Sequence, residues 1–211
     1  MKSVLKISVI ALTFALLASS CAKTFYSVDG KTLAQKHHKS VAVMPSLVSI
    51  PSKWANRKVV AEILEKQEEA ESRNFQQAIY AWMQKAKSEG KVSVDIQDPE
   101  VTNTRLKNAG YPETLITDAQ ICEILGVDGL IVSNFELYKP FTETQAVAMA
   151  VATNQWGLML LTDEVMGNMG IIDCANKKTI WTYSQKLDGN NPKLIVESFM
   201  KKAGKKMPYV K

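Results

Sequence analysis

Ile121 to Leu137 reads ICEILGVDGLIVSNFEL. The stretch divides at Gly126. Before it, Thr117 or Asp118 caps a helix that runs to Leu125, and Gly126 stops that helix. After it, Val127 to Tyr138 (VDGLIVSNFELY) has the composition of a strand. The unbroken run Leu130-Ile131-Val132 offers no polar face, so this strand is expected to be buried on both sides. A strand covered on both sides needs helices above and below its sheet, which makes the chain an α/β protein.

The neighbouring segments extend this reading in both directions. Ser40 to Met44 (SVAVM) is a short apolar run ended by Pro45, a buried first strand. Lys58 to Glu89 carries Val59, Ile63, Phe75, Ile79, Trp82 and Met83 at helical spacing, with glutamates on the wet side. Gly90 ends that helix, and Lys91 to Ile96 alternates as a second strand. Asp98-Pro99 is a cap followed by a first-turn proline, so a helix begins there and ends near Gly110. Glu164 to Asp173 and Lys178 to Lys186 read as a hairpin turning at Ala175-Asn176-Lys177. Asn191-Pro192 starts a last helix reaching about Lys206. The expected architecture is a single mixed β-sheet flanked by helices, because a hairpin forces part of the sheet to be antiparallel. Thr142 to Asp163, nearly uncharged and rich in Ala and Met, is either core or a surface facing a partner or a membrane.

The amino terminus is of another kind. Lys2 and Lys6 precede an apolar run from Val9 to Leu17, and small residues follow up to Cys21. This is a leader with a basic region, a short apolar region and a small-residue cleavage zone. The apolar run is shorter than the roughly 20 residues that a spanning helix needs. Leu17-Ala18-Ser19-Ser20-Cys21 resembles the lipobox of bacterial lipoproteins, with Ala18 where that motif usually has leucine. The resemblance makes Cys21 the acylated first residue of the mature chain. Residues 1–20 are then a lipoprotein signal peptide, 21–39 a polar tether and 40–211 one α/β domain.

Charge follows position. The formal charge of +5 falls to +3 when Lys2 and Lys6 leave with the leader. Ala22 to Lys58 holds seven basic residues and one acid, and Lys193 to Lys211 holds six lysines and one acid. The middle of the chain is acidic. Basic ends beside a lipid anchor suit anionic head groups or acidic wall polymers, and otherwise read as ordinary solvated lysines. Export argues against nucleic acid as a partner.

Catalytic chemistry is sparse. His37-His38 are the two histidines, both in the tether, where solvated side chains are expected. The body is left without a histidine base for a serine or cysteine nucleophile. The spacing of His and Cys fits no zinc site, and no phosphate loop occurs. Neither enzyme activity, a metal nor a cofactor is expected. Cys122 and Cys174 are expected to be buried free thiols, although an exported chain permits a disulfide. Trp54 and Trp156 lie in irregular regions and are the candidates for ligand or partner contact. Trp82 falls on the apolar stripe and is assigned to the core, and Trp181, in a strand, is expected half-buried.

Four segments carry a wider resemblance: SVAVMP (Ser40 to Pro45), the Ile121 to Leu137 stretch, IIDCANKKTIWTYSQKLDG (Ile171 to Gly189) and KKAGKKMPY (Lys201 to Tyr209). Together they resemble the α/β domain of bacterial envelope lipoproteins, a group with the curli-secretion lipoprotein, the lipoprotein activators of penicillin-binding proteins and related assembly lipoproteins. In that pattern Asp173 and Trp181 are structural residues of the hairpin. The resemblance implies anchoring in the outer membrane, which Ala22 after Cys21 also fits. It further implies a non-catalytic accessory role with an envelope protein partner. Two other readings stay open: a lipoprotein that binds wall glycan or a small ligand, and a homo-oligomeric secretion component joined through Thr142 to Asp163.

Overall fold

The computed structural model describes residues 22–51, 58–138, 164–188 and 191–211. In chain order the elements are β1 (Lys23–Tyr26), α1 (Gly30–His37), β2 (Ser40–Val43), β3 (Leu47–Ser49), α2 (Lys58–Ser88), β4 (Asp95–Gln97), α3 (Pro99–Asn108) and α4 (Asp118–Leu125). Then follow β5 (Gly129–Tyr138), β6 (Glu164–Asp173), β7 (Lys178–Asp188), α5 (Pro192–Ala203) and a 3-10 turn over Gly204–Lys206. The strands form one mixed sheet in the order β1-β7-β6-β5-β2-β4, with β3 beside β5. Pairing is parallel among β2, β3, β4 and β5, and antiparallel from β5 through β6 and β7 to β1. This is the expected α/β architecture.

Local chemistry sets the element ends. Thr117 caps α4 with a full capping box, its side chain and that of Gln120 each serving the other's backbone. Gly126 then takes φ of 62°, a left-handed conformation that releases the chain into β5. Asp98 caps α3 ahead of Pro99, and Asn191 caps α5 ahead of Pro192.

Two cores lie on opposite faces of the sheet. On one face α2 and α5 pack Phe75, Ile79, Met83, Val196 and Phe199 against the strands. Phe75 stacks on Phe135 at 4.1 Å, and Phe199 meets both Phe135 and Tyr183 edge-on. On the other face α3 and α4 bury Leu106, Ile121 and Leu125 against Ala42, Leu130 and Ile172. Among the described residues, these two short helices cover only part of their face. The burial of β5 records the boundary. Leu130 and Ile131 are fully buried, whereas Ser133, Phe135 and Leu137 alternate with exposed Asn134 and Tyr138.

Three expectations change here. The stretch read as a tether holds a strand and a helix: β1 pairs with β7 from Lys23↔Ser184 to Tyr26↔Trp181, and α1 follows it. The hydrogen bonds of β1 are to backbone far along the chain, so no local periodicity betrays it. Trp181 is entirely buried rather than half-buried, because β1, α1 and the Tyr183 ring close around its strand. The second strand is only Asp95–Gln97, with Val92 bridging to Val210 instead. Among the described residues no helix is long and apolar enough to cross a membrane.

Candidate functional site

Among the described residues, polar side chains gather at a buried corner and at an open groove. The first is closed. His38 ends α1 and turns inward, with its side chain about 1% exposed. Its Nε2 lies 2.6 Å from Asp173 Oδ1, and its Nδ1 lies 2.6 Å from the Tyr209 hydroxyl. A carboxylate only accepts, so Nε2 carries a hydrogen and donates it. The second carboxylate oxygen, Asp173 Oδ2, accepts the Asn176 amide of the hairpin turn at 2.7 Å. Burial pushes the Tyr209 phenol far above its usual range, and the charges of Asp173 and Asp128 add to the effect. Tyr209 therefore stays neutral and remains a hydrogen-bonding hydroxyl.

The fold leaves space for this lock at one residue. A Cβ on Gly129 would stand 2.7 Å from His38 Nδ1 and 2.8 Å from the Tyr209 hydroxyl, so only glycine fits the start of β5. Next to it, Asp128 accepts the Lys39 and Ser40 amides at 2.8 Å each. Burial alone would raise that carboxyl. The Ser40 and Lys39 amides, the Ser40 hydroxyl and His38 outweigh burial and hold it below the ordinary carboxylate range.

Cys122 and Cys174 adjoin the same corner, and they form a disulfide. This corrects the expectation of free thiols. Gly126 sends the chain from α4 straight into β5, and Gly129 pairs with Asp173 across to β6. Cys122 thus stands over the residue that follows Asp173, with Cα atoms 5.6 Å apart. The mates are 52 residues apart, so no local spacing announced them. His38 is a second correction. It is buried in the lock, whereas its neighbour His37 is exposed, as expected of a solvated residue. His38, Asp173 and Tyr209 come from three distant segments, and none carries a local motif. The lock ties three distant segments together: its buried histidine bonds a carboxylate on one side and a phenol on the other.

The second place is open. A groove of about 1110 Å³ runs between α2 and α5. Ala78, Ala81 and Ala86 line it with small apolar side chains, and Trp82 stands at its side. Trp82 is held there by Gly204, where a Cβ would meet the indole at 2.3 Å. Five lysines surround the groove, Lys85, Lys91, Lys193, Lys201 and Lys205, against two acids, Glu89 and Glu197. Lys91 pairs with Glu89 at 2.6 Å and, as the main cause, lowers the Glu89 carboxyl by hydrogen bond and charge. The groove remains net basic. Trp82, assigned to the core by its place on the apolar stripe, is instead half-buried with a face toward the groove. The stripe was legible, but its edge was not.

Among the residues singled out from sequence, Asp173 proves to be a member of the lock and Trp181 a core residue. Cys21, Trp54, Trp156 and Thr142 to Asp163 lie outside the described residues.

Fold and site together define an open mixed-sheet α/β domain, closed at one corner by a buried polar lock and grooved between two helices. No family model and no curated protein matches the chain. Solved structures are similar to it at low identity. Lipoprotein GNA1162 from Neisseria meningitidis is 14% identical over 79% of this chain and 95% of its own, with a TM-score of 0.43. The LpoB C-terminal domain from Salmonella enterica is 9% identical over 75% and 91%, with a TM-score of 0.36. A PelC dodecamer from Paraburkholderia phytofirmans is 10% identical over 90% and 99%, with a TM-score of 0.43. At these identities and scores the likeness assigns no function.

Proposed function

We propose that this chain is a non-catalytic lipoprotein of the bacterial outer membrane, acylated at Cys21 and facing the periplasm, that binds an envelope protein partner through the α2–α5 groove. The carrying observation is the groove itself: a Trp82 flank and a small apolar floor inside a net basic rim. That combination suits a partner segment with an apolar anchor and neighbouring carboxylates. A buried aromatic anchor supplies most of the affinity in such contacts, and the rim charges supply steering. The lipobox-like Leu17 to Cys21 supports the location.

The test is a photo-crosslinking residue at Ala81, which is exposed on the groove side of α2. Crosslinking in intact envelopes should give one defined protein adduct, lost in the Lys85→Gln/Lys201→Gln variant. Repeated recovery of no adduct would refute the groove as a protein site. The same Trp82 flank favours a wall-glycan ligand as the second reading. Muropeptide titration should then change tryptophan emission, and the change should vanish in Trp82→Leu.

A further inference from the structure

The sequence leaves the two basic ends of the mature chain far apart, but the fold brings them together. The Tyr26 hydroxyl donates to the Lys206 carbonyl, Gln35 Nε2 donates to the Pro208 carbonyl at 3.1 Å, and His38 bonds Tyr209. Lys23 and Lys31 thereby share one end of the molecule with Lys205 and Lys206, all four exposed. Asp29 is the one acid between Ala22 and Lys39. The same end displays large apolar side chains in consecutive stretches: Phe25 is 56% exposed, Tyr26 42% and Val28 fully exposed. Phe25 and Tyr26 point to opposite faces of β1, so they flank its outer edge. Among the described residues that edge has no strand partner.

Chain length adds the decisive constraint. Cys21 is two residues before Lys23, the first residue of β1. Two peptide units span at most about 7 Å. An acyl chain on Cys21 therefore leaves no tether between bilayer and domain. We infer that the β1 edge, with Phe25, Tyr26 and Val28 set among Lys23, Lys31 and Lys206, rests directly on an anionic lipid surface. The inference builds on acylation of Cys21 and adds that the folded domain itself touches the bilayer. Aromatic residues at head-group depth and lysines toward anionic lipid are the usual elements of such a contact. A lipid anchor beside a basic patch is a second signal that strengthens the first. Head groups and their water also satisfy an unpaired strand edge that would otherwise seek another strand.

The experiment uses the mature acylated chain in vesicles of phosphatidylcholine and phosphatidylglycerol with brominated acyl chains. Val28→Trp should lose emission to the bromolipid, relative to the unsubstituted chain. Leu115→Trp, at a site 98% exposed in the loop before α4, should not. Adding Lys23→Glu and Lys206→Glu to Val28→Trp should restore emission while the anchor keeps the protein on the vesicles. Equal quenching at the two sites, or none at Val28→Trp, overturns the inference. So does a dimer in detergent that Val28→Asp dissolves, since the edge would then pair with a second copy. Intact mass of the amino terminus separates the failures. Acylated Cys21 without quenching refutes only the contact, whereas an unmodified terminus refutes the anchor.

Discussion

The lock and the groove both collect ionisable side chains, and they differ in whether water reaches them. At the lock, His38, Asp173 and Tyr209 sit under 1–6% exposure, so every donor and acceptor must find a protein partner. At the groove, lysines stay hydrated and little is gained by pairing them. The difference teaches which polar clusters hold the fold and which remain free to bind. A histidine bonded to a carboxylate resembles a catalytic pair; here the pair is buried and joins distant segments. A tryptophan beside lysines resembles ordinary core and surface until a groove exposes them together.

The comparison breaks most readily at Asp173. Asp173→Ala leaves His38 Nε2 and the Asn176 amide without partners, and each buried donor left unsatisfied costs about 1–3 kcal/mol. A large fall in urea midpoint should result; a fall within surface-mutation range would mean that the lock does not hold the ends. Replacing both cysteines, as Cys122→Ser/Cys174→Ser, frees a loop with mates 52 residues apart and should cost up to about 4 kcal/mol. Thermal unfolding with and without reductant reads the same quantity in the unsubstituted chain. Tyr209→Phe keeps the ring and removes one buried hydrogen bond, which should cost about 1–3 kcal/mol. Hydrogen exchange should localise that loss to β1, α1 and the carboxyl-terminal turn. At the groove, Lys85→Gln/Lys201→Gln should change stability by no more than about 0.5 kcal/mol. Its effect should fall on crosslinking to the partner. Stability loss of lock size there would erase the distinction.

Much of the fold was legible because it rests on local chemistry. Gly126, the Thr117 cap, Asp98-Pro99 and Asn191-Pro192 mark element ends within a few residues of themselves. The β6–β7 hairpin follows from alternation about a short turn. The α/β architecture expected from the order of strands and helices is the one observed. What escaped was long-range. β1 is a strand only because β7 offers it an edge, and the four residues Lys23 to Tyr26 cannot signal that alone. His38 needs Asp173 and Tyr209, more than a hundred residues away, and needs the space that Gly129 leaves.

The sequence by itself determined the mixed α/β sheet, the helix ends, the basic character of both chain ends and the expectation of a leader ending at Cys21. Each of these is written in neighbouring residues, whose spacing and caps act within a turn or two of backbone. Only the tertiary structure decided that the basic ends meet, that Cys122 and Cys174 join, that His38 is buried and Trp82 only half-buried. Those outcomes depend on which surfaces the sheet order brings into contact, and contact across the fold leaves no periodic mark in the chain.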